Sequence, residues 1–208
     1  MTTIHATGTG EAHLLAERAT ITVNISVASR DRRKSIEIAT RNHNWAVQRA
    51  QELRANGDAT WHAADPISTW SYKTYAEGKN NQTVIEHRTA SRVRVKLSNL
   101  SLVGALVTEF AEAGLTASVD WTLTEATRRE SERSMCKAAV AAARAIADDY
   151  ADALGQRIES VTSISDTAAG QPGAGPMLAR ASGSAGAAEV TIPEITVFST
   201  VNGVYEAA

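Results

Sequence analysis

The chain has 208 residues and 22.1 kDa, with 21 Lys+Arg against 23 Asp+Glu and a formal charge of −2. That balance argues against a dedicated polyanion binder, and the single Cys136 excludes an internal disulfide framework and a cysteine-cluster metal site. No apolar run approaches the roughly 18 residues of a membrane span, and residues 1–29 lack a basic-then-apolar export leader, so a cytoplasmic location is expected.

In chain order, Thr3–Thr7 reads as a short strand, with Gly8 and Gly10 as turn residues behind it. Ala19, Ile21, Val23, Ile25 and Val27 alternate with polar residues, the pattern of a strand with one buried face. Ser29 or Asp31 caps a helix that stops at Asn56-Gly57, with Ile36, Ala39, His43, Val47, Ala50 and Leu53 as its stripe. Trp61 and His62 then fall in a connection and read as an exposed rim. Ile67–Tyr75 and Thr83–Leu97 form a hairpin across the polar turn Glu77–Gln82. A helix from Ser101 to Gly114 and a strand from Leu115 to Leu123 follow.

From Glu125 to Leu154 the chain reads as one helix, with Met135, Ala139, Ala143, Ile146, Tyr150 and Leu154 as its stripe. Arg157–Asp166 and Val190–Tyr205 supply the last strands, with a bulge or break expected at Pro193-Glu194. Between them, the Gly-, Ala- and Pro-rich run 167–187 reads as a flexible loop. The sum is an α+β chain: one mixed or antiparallel sheet with three main helices on one face, in a single domain over 1–208.

The order of several short motifs resembles the SIMPL-domain family. Thr7, Gly8, Gly10 and Glu11 followed by Ala16–Val23 are similar to its opening hairpin. Arg92–Leu106 is similar to its central strand-to-helix junction, and Ala138–Gly155 to its alanine-rich helix end. The resemblance implies an α+β fold, ring- or channel-like homo-oligomers among bacterial members, and an adaptor role in an animal member. It implies no catalytic residues.

The residues themselves offer no complete reaction motif. Gly8-x-Gly10 lacks the third glycine of a dinucleotide fingerprint, His13 standing in its place. Pro176-Met177 replaces the Lys-Ser/Thr of a phosphate loop, and Ser184 lacks the glycine and the strand-turn-helix setting of a nucleophile elbow. His5, His13, His43, His62 and His87 include no pair at helical spacing, so no metal site is expected. His43 reads as a packed imidazole with a backbone or Asn partner, Cys136 as an inert thiol, and Asp148, Asp149 and Asp152 as a solvated helix face.

One cluster has the makings of a site. Arg88, Arg92, Arg94 and Lys96 share a strand face, and Trp70 and Tyr72 lie on the adjoining strand. Cations with aromatics on a sheet bind single-stranded nucleic acid by charge and stacking. Glu86 on the same face and the net charge weigh against that partner, and the same residues serve equally as a solvated face or a subunit contact. The resulting expectation is a non-enzymatic protein without cofactor, self-associating as a scaffold or interaction module and forming a homo-oligomer. The alternative is a binder of nucleic acid or another anionic ligand through the basic strand face. A third reading, an enzyme assembled from separate strands, requires a pocket with convergent His and Asp/Glu.

Overall fold

The structure is a computed structural model that describes residues 1–75, 83–166 and 190–208. The turn at Glu77–Gln82 and the loop at 167–187 lie outside the described residues. In chain order the elements are β1 (Thr2–Leu15), β2 (Arg18–Ser29), α1 (Arg32–Ala55), β3 (Ala59–Ala64), β4 (Ser68–Tyr75) and β5 (Thr83–Leu97). A 3-10 turn (Leu100–Leu102) leads into α2 (Val103–Glu112), followed by β6 (Thr116–Thr122), α3 (Glu125–Ala153), β7 (Ile158–Asp166) and β8 (Glu194–Ala207).

The α+β class holds, and every strand pairing is antiparallel. The strands divide between two sheets, however, where one was expected, because the buried residues form two separate clusters. The chain accordingly makes two compact units. The described residues of the first are 1–16, 123–166 and 193–208; those of the second are 17–75, 83–122 and 190–192.

The first unit is a three-stranded sheet of order β1-β8-β7 with α3 packed on it. β1 runs unbroken through Gly8 and Gly10, so these are strand residues and not the turn that their identity suggested. Their role is close approach. A Cβ built on Gly8 would stand 2.1 Å from Ala139 O and 2.2 Å from Ala143 N, and one on Gly10 would stand 2.4 Å from Met135 O. The helix backbone lies directly on the strand backbone, which only glycine permits. The helix contributes Ala139, Ala143, Ala147 and Ala151, all buried, while Tyr150 and Leu154 of the expected stripe are exposed. Small residues bring the helix down, and large ones at those positions would hold it off.

Gly203 plays the complementary part on β8. The Tyr205 ring lies across it, so that a Cβ at this position would stand only 2.4 Å from the phenol oxygen, and Arg144 of α3 sits 5.9 Å above the ring. β8 begins at Glu194 and keeps an even register with β1, so of the bulge or break expected at Pro193-Glu194 it is the break that occurs, residues 190–193 lying outside the strand; the irregular pairing is in β7.

The second unit is a five-stranded sheet of order β3-β5-β2-β6, with β4 pairing the other end of β5. Its connectivity, with β3 and β4 together filling the second strand position, is the split β-α-β-β-α-β arrangement. Ala19, Ile21, Val23 and Ile25 of β2 and Val93, Val95 and Leu97 of β5 meet Ala39, Ala46, Ala50 and Leu53 of α1 and Val103, Leu106 and Phe110 of α2 in one core. Both helices therefore cover the odd-numbered face of β2 and β5, and the even-numbered residues point the other way.

Asp31 caps α1, accepting from the backbone N–H of Arg33 at 2.8 Å and Lys34 at 3.3 Å. Gly57, at φ +83°, adopts the left-handed conformation that ends the helix. Two expected stripe positions of α1 are shifted: Ser35 and Ala46 are buried, and Ile36 is exposed. Ser35 is tolerated because its hydroxyl donates to Arg32 O at 2.9 Å and shares a 2.9 Å bond with Thr89, which continues at 3.0 Å to Thr69. Thr89→Val keeps the shape and breaks this chain of hydroxyls at a fully buried residue. Equilibrium urea unfolding should register a loss of about 1–3 kcal/mol.

Candidate functional site

The open face of the five-stranded sheet is built by strand alternation. On β5 the odd positions go to the core, so Glu86, Arg88, Arg92, Arg94 and Lys96 share the outer face. The pairing registers then place their neighbours. Trp70 stands opposite Arg88, and Tyr72 opposite Glu86. On β3, Trp61 stands opposite Lys96 and Ala63 opposite Arg94. On β2, Thr20, Thr22 and Asn24 stand opposite Lys96, Arg94 and Arg92, and Asp120, Ser118 and Thr116 of β6 continue those three rows. The fold thus brings all six expected residues, Trp70, Tyr72, Arg88, Arg92, Arg94 and Lys96, to one face. It is a column of cations ending at Glu86, with aromatics on one side and, on the other, small hydroxyl and amide groups with Asp120 in the Lys96 row.

Trp61 and Asp65 were not expected in this face. The segment Ala59–Ala64 has no clear alternation of its own; it becomes a strand by pairing with β5 across a register shift at Ala59/Trp61. Trp61 is 44 % exposed and Trp70 47 %. Asp65 is drawn in from the strand end by its backbone N–H, which donates to Arg92 O at 2.8 Å. Its backbone carbonyl accepts from the Ser91 hydroxyl at 3.4 Å. Ser91 is in turn bonded to His43 Nδ1 at 2.5 Å, so the packed imidazole finds a serine hydroxyl as partner, where a backbone group or an asparagine was expected.

The cations of the column are not equivalent. Arg94 donates to Asp65 Oδ1 at 2.8 Å and lies 6.0 Å above the Trp61 ring, so its charge is balanced. Among the described residues the Arg92 side chain donates to the neutral Asn24 amide oxygen, at 3.3 Å, and makes no ion pair. Arg88 lies 5.2 Å over the Tyr72 ring, and Lys96 makes no ion pair among the described residues. The acidic side chain nearest to Arg88 in register, Glu86, accepts from the Tyr72 hydroxyl at 2.7 Å.

That bond holds the Tyr72 phenol pKa above its usual value near 10, with burial adding to it and the Arg88 charge opposing it. A raised phenol pKa contributes stability that is present below the unfolded value and is lost as pH rises through the folded one. Ultraviolet difference titration should therefore show Tyr72 ionising later than a free phenol, and Glu86→Gln should bring it back down.

Among the described residues no group of three or more His, Cys, Asp or Glu is placed to hold a metal ion. Two surface depressions of about 590 Å³ lie elsewhere, one on α1 around Arg41 and Trp45 and one on α3 around Arg129 and Arg133. Cys136 is exposed on α3. No helix of the described residues is long and apolar enough to cross a membrane.

Comparison with known proteins gives one extensive match: the family described as "SIMPL: Protein of unknown function (DUF541)" covers residues 4–205. No curated protein matches. Among solved structures, similarity extends to a protein described as an aminohydrolase from methicillin-resistant Staphylococcus aureus, at 10 % identity and a TM-score of 0.26 over 53 % of this chain and 31 % of that one. It extends also to one described as an amidohydrolase/peptidase from Burkholderia cenocepacia, at 18 % identity and a TM-score of 0.22 over 57 % of this chain and 28 % of the other. The chain thus spans less than a third of either protein's length, and at those scores the likeness carries no functional argument.

Proposed function

The chain belongs to the SIMPL family of proteins of unknown function, and from that membership we propose that it is a non-enzymatic interaction module that assembles with further copies of itself. The observation that carries this reading is the state of the three-stranded sheet's edges. Among the described residues β7 pairs only with β8, and every residue from Glu159 to Asp166 is exposed, including Val161 at 48 % and Ile164 at 46 %. β1, at the opposite edge, is fourteen residues long and among the described residues also pairs only with β8.

Long edge strands with few charges invite pairing with another chain. In β1 the sole acidic residue is Glu11, and Lys and Arg are absent. An edge of type β1 meeting an edge of type β7 is a heterologous contact, which closes into a ring or runs on as a filament according to its rotation. The polar groups of the cationic face favour recognition over reaction, since they are spread along a strand and do not converge on one point.

Size-exclusion chromatography with light scattering tests the proposal. The parent chain should elute as an oligomer, and Val161→Lys/Ile164→Lys should shift it to the monomer mass with far-UV circular dichroism unchanged. A parent chain that stays monomeric at several hundred micromolar would contradict it.

A further inference from the structure

A second surface, in the other unit and independent of the self-association reading, has the chemistry of a ligand site. We propose that the outer face of the five-stranded sheet binds an extended single-stranded nucleic acid, its phosphates following β5 and its bases lying toward the aromatic side.

The first support is uncompensated charge in a row. Arg88, Arg92 and Lys96 occupy the same face of one strand and make no ion pair among the described residues, Arg88 reaching Glu86 through the Tyr72 hydroxyl at 3.5 Å, whereas Arg94 is balanced by Asp65. Alternate residues of a strand repeat every ~6.8 Å, so Arg88, Arg92 and Lys96, four residues apart, present cations at intervals of ~13.6 Å along a line that an extended phosphodiester chain can follow. The whole-chain charge of −2 conceals this, because the described residues of this unit carry 13 Lys and Arg against 10 Asp and Glu, and those of the other unit 6 against 11.

The second support is what flanks the column. Trp70 and Trp61 offer half-exposed rings on one side, at the rows of Arg88 and Lys96. Base-on-aromatic stacking tolerates any base. On the other side Thr20, Thr22, Asn24 and Ser118 form a strip of short hydroxyl and amide groups that leaves room for sugar and base edges, with the Asp120 carboxylate at its far end in the Lys96 row. An acidic polypeptide would satisfy the cations but gives no use to exposed tryptophans beside a polar strip, so the aromatics favour the nucleic acid.

Fluorescence anisotropy with a short labelled oligothymidylate, as a function of salt, is the test. Three phosphate contacts predict that the logarithm of the association constant falls against log salt with a slope of about −2. Arg92→Ala/Lys96→Ala should flatten that slope to about −0.7. Trp70→Ala should weaken binding about five-fold or more while leaving the slope alone. Asp65→Asn removes the anion that balances Arg94, so it should tighten binding and steepen the slope by about 0.7. The gain in the last variant separates a binding effect from damage to the fold, and circular dichroism of each protein checks the others. Absence of binding at low salt overturns the proposal, as does an unchanged slope in both charge variants. Competition by polyglutamate as effective as by unlabelled oligothymidylate overturns it in favour of an acidic polypeptide.

Discussion

Gly8→Ala should cost about 3 kcal/mol or more and lower the thermal midpoint by roughly 6–12 °C, which is far beyond the usual effect of adding one methyl group to a strand. The added Cβ would meet Ala139 O and Ala143 N near 2 Å, and both are backbone atoms of a continuous helix. A flexible side chain can swing aside; a helix backbone can only retreat as a whole. Retreat would uncover Ala147, Ala151, Ile4, Ala6 and Tyr205, which make the core of this unit. Gly10→Ala should follow the same pattern, since its nearest obstacle is Met135 O. The signature that distinguishes close approach from a general intolerance of mutation is the lack of rescue. No side-chain change at Ala139 or Ala143 can relieve Gly8→Ala, because the blocking atoms do not belong to side chains. Differential scanning calorimetry on the single and double variants reads this directly.

Phe110→Ala is the corresponding experiment in the second unit, with an expected loss of about 3–5 kcal/mol by urea unfolding. Phe110 is 1 % exposed and meets Trp45 edge to face, with ring centroids 5.7 Å apart. It is the largest of the three buried residues of α2, a helix of ten residues. A helix that short does not persist without tertiary packing. Its polar tether is weaker. Glu109 accepts from Arg49 through both carboxylate oxygens, at 2.8 Å and 3.1 Å, but the pair is partly open to water, so Glu109→Gln should cost no more than about 1 kcal/mol. The ordering Phe110→Ala far above Glu109→Gln therefore tests whether packing or the ion pair holds α2 in place.

The sequence was most legible where each residue's pattern is decided locally. Alternation fixed β2 and β5 and therefore the common face of Arg88, Arg92, Arg94 and Lys96, since strand geometry alone separates odd from even positions. The stops at Gly57, Gly114 and Gly155 were equally local. What escaped depends on partners distant in sequence. β3 exists because β5 offers it a ladder, and nothing in Ala59–Ala64 announces a strand. Gly8 and Gly10 look like turn residues until the alanine helix that lies on them, more than a hundred residues later, is considered. That same helix defeats a search for bulky apolar stripes: its buried line is Ala139, Ala143, Ala147 and Ala151 at every fourth position, while Tyr150 and Leu154 remain in solvent. The division into two sheets was hidden for the same reason, because β1 and β8 pair across nearly the full length of the chain.

Hydrogen–deuterium exchange as a function of protein concentration tests the proposed assembly most directly, at the edges of the three-stranded sheet. In dilute solution the amides of β1 and β7 that point away from β8 should exchange rapidly, and they should gain protection as concentration rises, while β8 between them stays protected throughout. Equal exchange along β1 and β7 at every concentration, with the chain at its monomer mass, would contradict the account.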